Sequence, residues 1–139
     1  MTWEKLVKWI GAACGALAGL MGGWDITLTI LAAMMAVDYV SGLAVASCGR
    51  SPKTEAGGLS SKAGFIGLAK KGFMLLIVLL AALLDQVAGN DGMIFRTAVT
   101  CYYIANEGLS VIENAALMGV PVPKGLKGAL EAMREEKEK

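Results

Sequence analysis

Apolar residues in this chain are gathered into four long runs, separated by short glycine-rich turns or by one longer polar connection. A helix needs about 20 mostly apolar residues to cross about 30 Å of hydrocarbon. The pattern therefore predicts an all-α integral membrane protein with about four transmembrane helices, forming a single membrane domain over residues 1–139. The expected spans are 6–24, 26–46, 72–88 and 93–112.

Two polar segments complete this organisation. Residues 49–71 form the longer connection, in which Ser60 and Ser61 are expected to cap a helix that starts near Lys62. The tail, residues 121–139, carries Leu126, Leu130 and Met133 at positions i, i+4 and i+7. This spacing predicts an amphipathic C-terminal helix whose apolar stripe lies on the membrane surface.

Basic residues indicate the orientation of the four spans. Twelve of the 13 Lys and Arg residues fall in the N-terminus, the 49–71 connection or the tail, and Arg96 alone falls on the opposite side. Because cytoplasmic segments are enriched in Lys and Arg, both termini are expected to be cytoplasmic. The residues of the connection expected to set this topology are Arg50, Lys53, Lys62, Lys70 and Lys71.

Small residues dominate the first run and leave two interpretations of it. Glycines at 11, 15, 19 and 23 are spaced by four, which places them on one helix face and lets helices approach closely in lipid. They serve packing within one subunit or, as we favour, self-association of subunits. Alternatively, Lys5 and Lys8 followed by Ala16-Leu17-Ala18 resemble a secretory signal with its cleavage site. The glycines expected in helix packing or oligomerisation are Gly11, Gly15, Gly19, Gly23 and Gly42.

Polar residues inside the second and fourth runs are the candidate functional positions. A carboxylate inside a span costs about 2.5–3.5 kcal/mol on insertion scales, so it is expected to face a partner or water. Asp38 is followed by Ser41 and Gly42 on one small, polar face. The fourth run carries a broad polar stripe that either lines an aqueous opening or forms a surface helix after Ala105. The expected pore-lining or intramembrane polar residues are Asp38, Ser41, Asn106, Glu107, Ser110, Glu113 and Asn114.

Composition narrows the functional classes. The chain is 55% hydrophobic and 18% charged, whereas soluble domains carry about 25% charged residues. It has no histidine, and its three cysteines are too far apart for metal-ligand spacing. No catalytic residue, metal site or cofactor is therefore expected, and the chain is not expected to be an enzyme. A net charge of +1 gives no indication of nucleic-acid binding.

Several strings resemble the phage-lysis and toxin-secretion holin family. They are GGWD (22–25), DYVSGLAVA (38–46), LSSKAGFIGLAKK (59–71) and NEGLSVIENAALMGVPVP (106–123). Ser41 stands where the family pattern leads us to expect threonine. The resemblance implies a small phage-encoded protein of the bacterial inner membrane that oligomerises into large, unselective holes. Through these holes an endolysin, or a secreted toxin, reaches the cell wall.

The same resemblance implies which partners the chain has. They are further copies of itself and membrane lipid, with an endolysin as a functional partner that needs no direct contact. No cofactor is implied. The alternatives are an antiholin-type regulator, a small ion-coupled transporter, or a membrane anchor that recruits a partner through the 49–71 connection or the tail.

Overall fold

Five helices make up the part of the chain that the computed structural model describes, which is residues 1–138, with side chains through Glu135. No strand occurs within these residues, so the expected all-α class is confirmed. Lys139, the last residue of the predicted tail, lies outside the described residues. The helices are α1 (Trp3–Leu20), α2 (Ile26–Ser47), α3 (Ser61–Ala88), α4 (Ile94–Leu117) and α5 (Lys124–Glu138).

Side-chain caps explain where three of these helices begin. Thr2, Asp25 and Ser60 each accept a hydrogen bond from the backbone N–H three residues further on, which satisfies a donor that the first helical turn leaves free. The helix expected after Ser60 is therefore present. It continues without a break into the apolar run, so the predicted 49–71 loop is irregular only up to Ser60.

One glycine of the predicted stripe does not belong to a helix. Helix α1 ends at Leu20, and Gly23 adopts a φ of 89° in the turn before α2. A left-handed backbone suits glycine and ends the helical face. The expectation that Gly23 shares a packing face with Gly11, Gly15 and Gly19 is therefore wrong.

Helix α4 is the centre of the packing. It lies along α2, α3 and α5. A cluster of buried apolar residues joins Leu28, Leu31 and Met35 of α2 to Val78 of α3. Helix α1 stands apart: none of its residues is buried. It meets α3 at its C-terminal end, where the Gln86 side chain donates a hydrogen bond of 3.2 Å to the Leu20 carbonyl.

Buried polar contacts join the two short turns at one end of the helices. Met93, which precedes α4, offers no side-chain cap. The buried Asp85 carboxylate of α3 takes that role, accepting hydrogen bonds from the backbone N–H groups of Phe95 and Arg96 at 2.9 and 2.8 Å. Arg96 in turn donates to Asp25 at 2.9 Å and to the Gly23 carbonyl at 3.0 Å. The Arg96 hydrogen bond lowers the pKa of the Asp25 carboxyl below its usual value.

Two of the described helices, α2 and α3, are long and apolar enough to cross a membrane. Large apolar side chains cover the outer side of α3, including Phe73, Leu76 and Leu80, which are 52–67% exposed. A contiguous apolar surface of this kind is typical of contact with lipid or another protein. The coarse prediction of a helical membrane protein is supported by these two helices.

Candidate functional site

Lys71 connects three helices through one ammonium group. Its Nζ lies 2.7 Å from Oδ2 of Asp38 on α2, and it also donates to Oε2 of Glu107 on α4. The three side chains are 14%, 9% and 4% exposed, respectively. We refer to Asp38, Lys71 and Glu107 as the charged triad.

The amide of Asn114 extends the triad along α4. Its Nδ2 donates to Asp38 Oδ1 at 3.2 Å and to Ser41 Oγ at 2.8 Å. The Ser41 hydroxyl itself donates to the Asp38 carbonyl at 3.0 Å. Both oxygens of the Asp38 carboxylate are therefore hydrogen-bonded, as a buried charged group requires.

The charge balance of this cluster is uneven. Two carboxylates share one ammonium, so the triad carries a net charge of −1 when all three groups are ionised. Buried ion pairs gain little stability over an apolar core, but removal of one partner is strongly unfavourable because it leaves an uncompensated charge. The triad therefore links α2, α3 and α4, and loss of one of its three charges strongly destabilises their packing.

A cavity of about 350 Å³ adjoins the triad. It extends between α2, α3 and α4 to the irregular connection around Ser51 and Ser60. One water molecule occupies about 30 Å³ in the liquid, so a cavity of this volume has room for about ten water molecules. Most of the lining surface is apolar, and polar side chains from α2, α3, α4 and the connection also reach the cavity. Its polar lining residues include Asp38, Ser51, Thr54, Ser60, Lys70, Lys71, Asn106, Glu107, Ser110, Glu113 and Asn114.

The structure brings together all seven residues that the sequence marks as intramembrane polar positions. Asp38, Ser41, Glu107 and Asn114 form the hydrogen-bonded cluster, while Asn106, Ser110 and Glu113 line the cavity beside it. Gly42 lies against α4, since a Cβ on it would stand 3.8 Å from the Asn114 amide nitrogen. Helix α4 continues to Leu117 with Glu107, Leu109 and Ile112 buried, so it does not become a separate surface helix at Ala105.

Lys71 is the residue of this site that sequence reasoning missed. The sequence places Lys71 among the basic residues expected to set topology, but its ammonium group faces the interior rather than solvent. A signal was available in the sequence, because Lys71, Val78 and Asp85 recur every seven residues. This spacing places Lys71 on the same inward face of α3 as the buried Val78 and Asp85.

The other predicted positions are not members of the triad, although Lys53 and Lys70 line the cavity beside it. Arg50, Lys53, Lys62 and Lys70 are exposed. Arg50 donates a 3.3 Å hydrogen bond to the Leu117 carbonyl at the end of α4. Gly11, Gly15 and Gly19 have no neighbouring atom within 4 Å of the position a Cβ would take. Their helix face is therefore open in the isolated subunit.

A comparison with family models identifies a family that covers most of the chain. The model of the Bacteriophage holin family matches residues 15–135 of this chain. This range includes the triad, the cavity and α2 to α4 in full, so the match covers the candidate site as well as the fold. The holin family is not a family of enzymes.

Similar proteins are found in bacteria and in a phage. An uncharacterised 14.9 kDa protein of Clostridium perfringens is 37% identical over 132 residues, covering 94% of this chain and 95% of its own length. An uncharacterised protein of Halalkalibacterium halodurans is 36% identical, covering 98% and 99% of the two chains. A probable holin of Bacillus phage phi105 is 32% identical over 78 residues, covering 56% and 57%. No solved structure matches the chain.

Proposed function

Because the chain belongs to the bacteriophage holin family, we propose that it is a holin that forms large, unselective holes in the bacterial inner membrane. An endolysin, or a secreted toxin, passes through these holes without needing to bind the protein. The observation that carries this proposal is the family match, which spans the charged triad and its cavity. The role needs no cofactor and no enzymatic activity.

The proposed topology has four spans, α1 to α4, with both termini in the cytoplasm. Helices α2 and α3 meet the length and apolarity of a span. Helix α4 is 24 residues long, and several of its polar side chains, Glu107 and Asn114 among them, face α2 and α3. The mean hydropathy of α4 therefore understates how apolar its remaining surface is. Helix α1 supplies the fourth span, which places the basic connection and both termini on one side.

The charged triad gives this topology a closed state. In a single subunit, Asp38 and Glu107 are covered by neighbouring helices and paired with Lys71. When many subunits assemble, contacts between subunits replace contacts within each subunit. In our proposal, the polar face of α2 and α4 then meets water, so that Asp38, Asn106, Glu107 and their neighbours line the hole.

Self-assembly is assigned to α1 and its glycine face. In the isolated subunit this face has no partner, although glycines at 11, 15 and 19 permit the close backbone approach on which helix association in lipid depends. A second copy of the same helix fits this face in shape and chemistry. The other partners of the protein are the surrounding lipids.

Turbidity of an induced culture tests the proposed function. The chain is expressed in a bacterium that also makes a cytoplasmic endolysin without an export signal, and an uncoupler is added to half of the cultures. We expect an abrupt, delayed fall in turbidity that the uncoupler advances, because a timed hole releases the endolysin all at once. A culture that keeps its turbidity in both arms, with the protein detected in the membrane, contradicts hole formation and supports a regulatory or anchoring role.

A second candidate, an ion-coupled transporter, is favoured by one observation. Intramembrane carboxylates paired with a lysine beside a polar cavity are also the arrangement of ion and proton pathways. A transporter would conduct a selected ion and leave the endolysin inside the cell. The same cultures distinguish the two functions, since lysis without an export signal requires a protein-sized opening.

A further inference from the structure

Helix α5 turns back along α4 after a short connection. Gly119, with a φ of 79°, reverses the chain, and Pro121 and Pro123 follow it. The Leu130 side chain contacts Gly108, which lies nine residues before the end of α4. The short linker between the two helices keeps the start of α5 close to the end of α4. The two helices are therefore antiparallel neighbours.

Gly108 provides the place where α5 is held. A Cβ at this position would lie 3.1 Å from both terminal carbons of Leu130 and 2.9 Å from the terminal carbon of Met34. The missing side chain thus leaves room for Leu130 to pack between α2 and α4. This contact is apolar and closely fitted, and it faces away from the charged residues of α5.

The opposite face of α5 is charged. Lys127 and Glu131 are 59% and 44% exposed and form an ion pair at 4.0 Å, and Glu135 is exposed one turn further on. These side chains do not enter the helix contact. Whatever surrounds α5 in its docked position must therefore accept a row of charges, and also the exposed Leu126 and Met133 on either side of the Leu130 contact.

The depth of the Leu130–Gly108 contact in the membrane indicates whether lipid or water surrounds the charged face of α5. Gly108 lies about 21 Å along α4 from Ile94, at about 1.5 Å per residue. In the four-span topology this point is inside a hydrocarbon layer of about 30 Å that begins near Ile94. Residues of α5 beyond Leu130 lie deeper still. Charged side chains at this depth face water or a polar partner rather than lipid.

From these observations we propose that α5 lines the water-filled hole of the assembled protein, docked on α4 through Leu130 with its charged face toward the lumen. This inference rests on the proposed holin function. In a subunit surrounded by lipid, α5 leaves Gly108 and lies at the cytoplasmic surface of the membrane, where an amphipathic helix is stable. In the structure α5 is docked while the charged triad is still paired, so α5 docks as subunits assemble, before the triad is exposed to water and the hole opens.

A reversible tether between α4 and α5 tests this inference. Gly108→Cys and Leu130→Cys are combined in a chain whose three native cysteines are replaced by alanine, and the protein is reconstituted in vesicles loaded with a protein-sized dextran. Replacing Leu130 also removes one of the two side chains that would crowd a new Cβ at position 108, and the other, Met34, meets it only with the end of a flexible side chain. We expect the oxidised, tethered protein to release dextran at least as fast as the reduced protein.

Retention of dextran by the tethered protein would overturn the inference. If the oxidised protein retains dextran and reduction restores its release, α5 must leave α4 for opening, and the inference is overturned. Leu130→Cys alone, treated with the same oxidant, controls for effects of oxidation. Should the Gly108 variant fail to fold, Met34→Cys with Leu130→Cys joined by a reducible bis-thiosulfonate spacer gives the equivalent tether, because the ends of the two native side chains lie 2.9 and 3.1 Å from the same point at Gly108 and a direct disulfide would not span the longer distance between the two backbones.

The same experiment separates this inference from the function on which it rests. If the cysteine-free parent and the reduced double variant release no dextran, the proposed hole formation fails and the assignment of α5 fails with it. If both release dextran and only the tethered protein does not, hole formation stands and the lumenal position of α5 alone is wrong.

Discussion

Replacement of Lys71 by methionine is expected to destabilise the folded subunit by about 3–5 kcal/mol, the range observed when one partner of a buried ion pair is removed. The Asp38 and Glu107 carboxylates, 9% and 4% exposed, would then lie close together without a counter-charge. Methionine keeps much of the lysine volume, so the loss is one of charge rather than of packing. Unfolding of the purified protein in detergent micelles, followed by circular dichroism, measures the change.

Two further variants show whether the effect comes from the triad. Lys70→Met removes an exposed neighbouring lysine and is expected to change the free energy of unfolding by less than about 1 kcal/mol, as surface ion pairs contribute little. The triple variant Asp38→Asn, Lys71→Met, Glu107→Gln leaves no unpaired charge and should recover most of the lost stability. Equal effects of Lys70→Met and Lys71→Met would contradict the pairing seen in the structure.

A double substitution in α1, Gly15→Leu with Gly19→Leu, is expected to abolish assembly and lysis while leaving membrane insertion intact. Two leucines on the glycine face hold neighbouring helices apart and remove the close backbone contact that favours association. Neither position has an atom within 4 Å of the new Cβ in the subunit, so the fold of the subunit should not change. Chemical cross-linking of membranes, read as a ladder of oligomers, measures assembly.

Ala13→Leu is the matched control for this substitution. Ala13 is exposed on the opposite side of α1, so the added side chain leaves the glycine face free. Leucine has a higher helix propensity than glycine, which means that lost assembly cannot be attributed to a weaker helix. An unchanged cross-linking ladder in the double variant would show that the glycine face of α1 does not join subunits.

The helices that were predicted most closely are those with a local signal at each end. Helix α2 begins after Asp25, which caps it, and its apolar run ends within a residue of the expected position. For α3 the serine cap predicts a helix from about Lys62, and the helix begins at Ser61; the structure joins it without a break to the span predicted over 72–88. Polar residues such as Lys62 and Lys70 are good helix formers, so the helix extends through them.

The candidate site was predicted in part. Spacing along α4 was sufficient to place Asn106, Glu107, Ser110, Glu113 and Asn114 on one polar stripe, because a single helix fixes their relative positions. Their partners depend on how three helices pack. Lys71 lies 33 residues from Asp38 and 36 from Glu107, and no local pattern encodes which of several lysines meets them.

The packing of α5 against α4 could not be predicted from the sequence for a similar reason. Its apolar stripe at Leu126, Leu130 and Met133 suits a membrane surface and a helix groove equally well. The choice depends on Gly108, where the absence of a side chain makes room for Leu130. A glycine in α4 carries no sequence signal that distinguishes a docking position from ordinary close packing.

Release of size-graded cargo from vesicles tests the central claim, the formation of large unselective holes, most directly. Purified protein is reconstituted in vesicles that contain both a small dye and a dextran as large as a folded endolysin. We predict that dye and dextran leave the same vesicles together, with no dependence on the sign of the dye's charge. Release of dye alone, or of dyes of one charge only, would contradict a holin and indicate a selective channel or transporter.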